Sequence, residues 1–188
     1  GHSVRLQTLA SADDLAGRVC DVHLVVRGLA PVRRTPGQRH VLWIISHPDE
    51  VTADECNGYD LVLVASRPFA DQLRTRVDVP VAVLYQATDP GRFYPAPDPS
   101  LVHELLFAGN SRGQRRIAVV AALEIGAPLR VYGLGWEDLL PSDVLAGPHF
   151  PNERLGALYS SAGVTLNDHW PEMAKQGFVS NRVFDIIA

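Results

Sequence analysis

The stretch GNSRGQRR, Gly109–Arg116, gathers three arginines and two glycines in one turn after an apolar run. Cations are unfavourable at a helix N-terminus, where the backbone dipole is positive. An anion would account for them, because backbone N–H groups and fork-shaped guanidinium donors together suit a phosphate. The plain alternative is a basic, solvated helix start. Asn110, Arg112 and Arg116 are the candidate ligands here. The turn is neither a Walker loop nor a dinucleotide fingerprint. A second turn, VYGLGW at Val131–Trp136, offers Gly133 and Trp136. Its glycines either admit a ligand close to the backbone or simply reverse the chain. A third cluster, Asn167-Asp168-His169, follows the apolar run Gly163–Leu166; Asn181 and Arg182 then open a helical pattern with Asp185 one turn in. Asp168 and His169 are metal-ligand types, but no third ligand has convincing spacing. A fourth cluster is SHPDE, Ser46–Glu50. It reads either as a capping turn or as a turn presenting His47 to a cleft. No serine sits in a Gly-x-Ser-x-Gly elbow, so nothing supports a nucleophilic triad.

Short β-branched runs alternate with helical patterns and would position these clusters. Strands are expected at Val4–Leu9, Val22–Val26, His40–Ser46, Leu61–Ala65 and Val79–Tyr85. Helices are expected from Ala12, from Thr52 with a capping-box pattern, and over Arg67–Val77, with a Pro- and Arg-rich loop at Pro31–Gly37. Residues 88–100, TDPGRFYPAPDPS, carry Pro90, Pro95, Pro97 and Pro99 and read as a stiff linker. The pattern then restarts. Strands are expected at Leu105–Ala108, Leu129–Tyr132 and Val164–Leu166, and helices at Arg115–Ile125, Pro151–Tyr159 and from Asn181. Apolar strands without alternation imply parallel sheets covered on both faces. The expectation is an α/β protein of two Rossmann-like halves, residues 1–87 and 101–188, around the linker 88–100. Ligands of such sheets bind beyond the C-terminal strand ends, where the four clusters fall.

Composition narrows the function. Of 188 residues, 46% are apolar, ordinary for a globular chain. Acids outnumber bases, 21 to 17, which argues against a nucleic-acid partner. No apolar run approaches the ~20 residues that span a bilayer, and no signal peptide is evident. Cys20 and Cys56 lack metal-ligand spacing and read as reduced thiols of a cytosolic protein.

Five segments in order carry a resemblance. QATDPGRFYP looks like an interdomain linker, LLFAGNSRGQRR like a strand and phosphate loop, and LRVYGLGW like the next strand. FPNERLGALYSSAGVTLND and GFVSNRVFDIIA resemble the segments that hold a nucleoside base and ribose. The chain resembles bacterial glycosyltransferases of the GT-B fold, in the broad "glycosyl transferases group 1" class. It is closest to an actinobacterial-type subgroup with WIISHPDE, GNSR and NDHW motifs. The resemblance implies two Rossmann-like halves, both incomplete in this chain. It implies transfer of a hexose-type sugar from a nucleotide-diphosphate donor without a metal ion or other cofactor. The acceptor is open: a glycan, a lipid-linked molecule, a protein or a small molecule. Asn181 and Arg182 are then expected near the diphosphate, and Asp185 on the ribose hydroxyls. Arg112, Arg116 and Arg182 would stabilise the departing diphosphate. Asn110, Gly133, Trp136, Asn167, Asp168 and His169 complete the expected donor site. His47 is the expected catalytic residue, touching the donor sugar or acting as a general base on the acceptor. The wider class often has two glutamates eight positions apart; here Gly177 stands at the first place and Asp185 at the second. The expected location is cytoplasmic, with peripheral membrane attachment left open. Two other readings remain: a nucleotide-sugar epimerase of the same architecture, or a non-catalytic nucleotide-binding module.

Overall fold

A computed structural model describes residues 3–6, 20–28 and 37–188. The expected helix from Ala12 lies outside the described residues, as do half of the strand Val4–Leu9 and most of the loop Pro31–Gly37; residues 4–6 carry no regular structure. The first half of the chain gives β1 (Val22–Val26), β2 (Arg39–Ile44), α1 (Ala53–Asn57), β3 (Leu61–Val64), α2 (Arg67–Arg74) and β4 (Val81–Val83). The second gives β5 (His103–Ala108), α3 (Ile117–Glu124), β6 (Leu129–Tyr132), β7 (Leu145–Gly147), α4 (Leu155–Ser161), β8 (Ala162–Thr165), α5 (Pro171–Lys175) and α6 (Asn181–Ile187). These elements form two compact units. One holds Gly1–Gln86 and Trp170–Val179; the other holds Ala87–His169 and Ser180–Ala188.

The first unit has a parallel sheet in the order β1-β2-β3-β4, with Leu42 opposite Val62 and Val64 opposite Val83. Its helices start where hydroxyls can cap them. Thr52 Oγ1 accepts from the Glu55 N–H at 3.1 Å, and Ser66 Oγ from the Phe69 N–H at 3.3 Å. Leu42, Ile44, Val62, Val64, Phe69 and Leu73 form the core. Residues 170–179 complete it: Met173 and Phe178 are buried there, and the Phe178 ring lies 5.5 Å from that of Phe69. The Ser66 hydroxyl also donates to the Gln176 carbonyl, and Gln86 Nε2 donates to the Val179 carbonyl at 2.9 Å.

The second unit has a parallel sheet in the order β7-β6-β5-β8. Central β5 pairs Phe107 with Val131 and Leu105 with Val164. Helix α3 buries Val119 and Ala122 against Phe107, Val131 and Trp136; α4 buries Leu158 and Tyr159 against Leu106 and Ala108. The α/β expectation of two Rossmann-like parallel sheets therefore holds. Details differ for local reasons. Strand β4 is shorter than Val79–Tyr85, because Pro80 has no N–H for a ladder. The segment expected as the helix Pro151–Tyr159 begins with a 3₁₀ turn at Asn152–Arg154 before α4. Short β7 and α5 were not expected at all.

His103 on β5 makes stability depend on pH. Burial holds its imidazole below the usual histidine range, and the Arg130 charge pushes the same way. The unfolded chain therefore binds a proton at a pH where the folded chain does not. Stability should fall as the pH drops through ~6.5 and level off below the folded value. Urea midpoints measured across this range should show that fall in the wild type and a smaller fall in His103→Gln. Parallel curves would remove His103 as its source.

Candidate functional site

The site is built on two turns tied together by backbone hydrogen bonds. Beyond β5, the Gly109 N–H donates to the Tyr132 carbonyl at 2.7 Å, and the Gly109 carbonyl accepts the Trp136 indole N–H at 2.7 Å. Asn110 Oδ1 accepts from the Leu134 N–H at 2.9 Å, and the Ser111 N–H donates to the Leu134 carbonyl at 3.0 Å. The Ser111 hydroxyl donates to the Gly135 carbonyl and accepts from the Gly113 N–H at 3.1 Å. Gly133 makes this lacing possible. Its φ is +141°, and a Cβ there would stand 2.2 Å from the Gly109 carbonyl oxygen. The glycine thus lets the two turns touch. Trp136 is 1% exposed and edge-on to Phe107, so it braces the turn from below. Asn110 is likewise engaged in the lacing.

Charged side chains gather around Phe107 at the end of β5. The guanidinium carbons of Arg116 and Arg182 each lie 5.8 Å from its ring centroid. Arg116 is held by Asp168: Nε donates to Oδ2 at 3.0 Å and Nη2 to Oδ1, with side-chain exposures of only 12% and 13%. Arg182 sits directly on the turn, its Nη2 2.8 Å from where a Cβ on Gly109 would be. Its Nη1 makes a long 3.5 Å contact with Asn167 Oδ1. Tyr159 lies beside it. Burial pushes that phenol up, and the Arg182 charge and hydrogen bond offset part of the rise.

The opening of α6 is also fastened. The Ser180 N–H donates to His169 Nε2 at 2.9 Å, and its hydroxyl donates to Asn167 Oδ1 at 3.2 Å. Asp185, half-buried one turn in, accepts from Asn181 Nδ2 at 3.0 Å and from the Thr88 hydroxyl at 2.8 Å. It also borders a cavity of ≈ 310 Å³ lined by Tyr94, Pro95, Pro97 and Tyr159. Arg112 is exposed, with φ +56°. The second unit thus assembles a glycine-lined strand end, an exposed backbone turn and the guanidinium of Arg182, a combination suited to a phosphate.

Residues 114–188 match the glycosyl transferase-like family. No curated protein matches the chain. The glycosyl transferase-like stretch starts inside the Gly109–Arg116 turn. It carries Arg116, Gly133, Trp136, Asn167, Asp168, His169 and all of α6, so most of the gathered side chains fall within it.

His47 belongs to the first unit and lies outside the glycosyl transferase-like stretch. The Pro48 that follows it favours an extended backbone, but the structure corrects that expectation: His47 is left-handed, φ 50° and ψ 55°. Proline clashes with a right-handed helical residue before it and leaves the left-handed region open, which histidine enters more readily than most residues. The His47 carbonyl then accepts from the Glu50 N–H at 3.2 Å, closing a 3₁₀ turn, and Nδ1 bonds the Ser46 hydroxyl at 2.9 Å.

Among the described residues, no three His, Cys, Asp or Glu side chains are grouped to hold a metal ion. No helix among them is long and apolar enough to cross a membrane. Every buried side-chain N or O atom among them has a hydrogen-bond partner. Sequence reasoning missed Phe107, Ser180, Thr88 and Tyr159. Phe107 and Tyr159 read as ordinary core residues, while Thr88 and Ser180 lie in the segments QATDPGRFYP and GFVSNRVFDIIA, where their types alone do not show what they bond.

Proposed function

We propose that this protein is a glycosyltransferase that moves a hexose-type sugar from a nucleotide-diphosphate donor to an acceptor. The donor diphosphate lies at the C-terminal strand ends of the second unit. One observation carries the reading: the guanidinium of Arg182, a residue within the stretch that matches glycosyl transferase-like proteins, is seated on Gly109 just past the end of β5. Breaking the bond between the anomeric carbon and the diphosphate oxygen puts negative charge on the leaving group. Preorganised donors that meet this charge lower the barrier. The Arg182 guanidinium, seated against the Gly109–Gly113 turn, is such a donor, and a metal ion is not required. Asp185 supplies a carboxylate for the ribose hydroxyls. Arg116 acts through its pair with Asp168, keeping the Asn167–His169 turn in place.

Two measurements bear on this. Arg182→Ala should lower nucleoside-diphosphate affinity by ~1.5–3 kcal/mol, the usual worth of a hydrogen bond to a charged group. Calorimetric titration with UDP, GDP and ADP would read it, and unchanged affinity would remove Arg182 from the site. Turnover tests the function itself. Incubation with sugar-labelled nucleotide-diphosphate donors should move the label to an acceptor or, slowly, to water. Label recovered as an epimerised nucleotide sugar, or in untouched donor throughout, would contradict the proposal.

A further inference from the structure

Ser180 stands at the N-cap of α6 with φ −68° and ψ 147°, yet its hydroxyl does not cap that helix. Serine is among the best capping residues, so its diversion needs a reason. The hydroxyl donates to Asn167 Oδ1 at 3.2 Å, and the backbone N–H donates to His169 Nε2 at 2.9 Å. Trp170–Val179, the segment between His169 and Ser180, packs with the first unit, whereas both flanking residues belong to the second. Two side-chain acceptors therefore fasten the point where the chain re-enters its own unit. The next residues are Asn181 and Arg182.

The seat of Arg182 leaves little tolerance. Its Nη2 is 2.8 Å from the position a Cβ on Gly109 would take, and its Nη1 contacts the same Asn167 oxygen that holds Ser180. A displaced first turn of α6 would carry the guanidinium off the strand end. His169 Nε2 accepts a backbone N–H, so that nitrogen is unprotonated and unable to donate to a phosphate while this bond stands.

We infer that His169 is a positioning residue for Arg182. It pins the re-entry at Ser180 and does not itself touch the donor, as the resemblance had placed it. The inference rests on the proposed diphosphate site. The experiment is a double-mutant cycle with calorimetric titration of UDP, GDP and ADP. His169→Asn fills much of the ring's space but falls short of Ser180, whereas the longer amide of His169→Gln reaches the Nε2 position with an acceptor oxygen. His169→Asn should bind the nucleotide about tenfold more weakly, the effect of one lost hydrogen bond. His169→Gln should stay within about twofold of wild type, and adding His169→Asn to Arg182→Ala should cost nothing further. Losses that add would mean that His169 contacts the ligand itself. Wild-type affinity in His169→Asn would leave it a structural residue only. Either result overturns the inference and leaves the diphosphate site standing. A wild type that binds none of the three nucleotides removes the site and this inference together. Thermal melts of each variant, taken in parallel, confirm that the titrated protein is folded.

Discussion

Gly133→Ala should destabilise the protein by about 4 kcal/mol, the sum of a strained backbone conformation and an overpacked contact. The added methyl would stand 2.2 Å from the Gly109 carbonyl oxygen and 3.0 Å from the Asn110 nitrogen. Both are backbone atoms, so no side chain can swing aside. The Gly109 carbonyl also accepts the buried indole of Trp136, and moving it would disturb that bond. Gly113 is the control. Its φ is +73° and nothing lies within 4 Å of an added Cβ, so Gly113→Ala should cost only the ~1 kcal/mol of a left-handed alanine. Urea denaturation of both variants gives the comparison. Equal losses would mean that backbone conformation, and not the contact between the turns, decides the cost.

The second large effect concerns Asp168. Its carboxylate grips Arg116 through two guanidinium nitrogens, and neither side chain is more than 13% exposed. Removing the carboxylate takes the counter-charge from a guanidinium that is largely out of water, and breaking comparable buried pairs costs about 3–5 kcal/mol. Asp168→Asn should therefore be less stable than the wild type. Asp168→Asn combined with Arg116→Met should recover much of the loss, because the buried cation is gone and its apolar stem is retained. Denaturant midpoints of the two single variants and the double variant complete the cycle. A double variant as unstable as the sum of the singles would show that the two side chains act separately.

The strands were legible where the chain is monotonously apolar. HVLWII, LVLV and LLFA give β2, β3 and β5, and their parallel pairing follows from the lack of alternation. Strand β7 was not legible: Leu145, Ala146 and Gly147 make a three-residue strand with no β-branched residue. Helix α5 is five residues long, too short for a period to show, and its Met173 carries no hint of which core it enters. That residues 170–179 join the first unit is a tertiary fact; Met173 and Phe178 would suit either core by polarity alone.

The candidate site was half legible. Residue types showed that arginines, glycines and a carboxylate lay at strand ends. They could not show which arginine meets which carboxylate, since Arg116 and Asp168 are 52 positions apart. An arginine that binds phosphate and one that binds aspartate read alike in sequence. Trp136 is similar: an aromatic after a glycine turn can stack on a base or brace the turn, and only its 1% exposure separates the two.

Backbone-amide NMR during titration with UDP, GDP or ADP reads the proposed diphosphate site residue by residue. Saturable shifts are expected, concentrated at Gly109, Asn110, Gly113, Gly133, Ser180 and Arg182. Shifts confined to the first unit, or no shift with any of the three nucleotides, would contradict it.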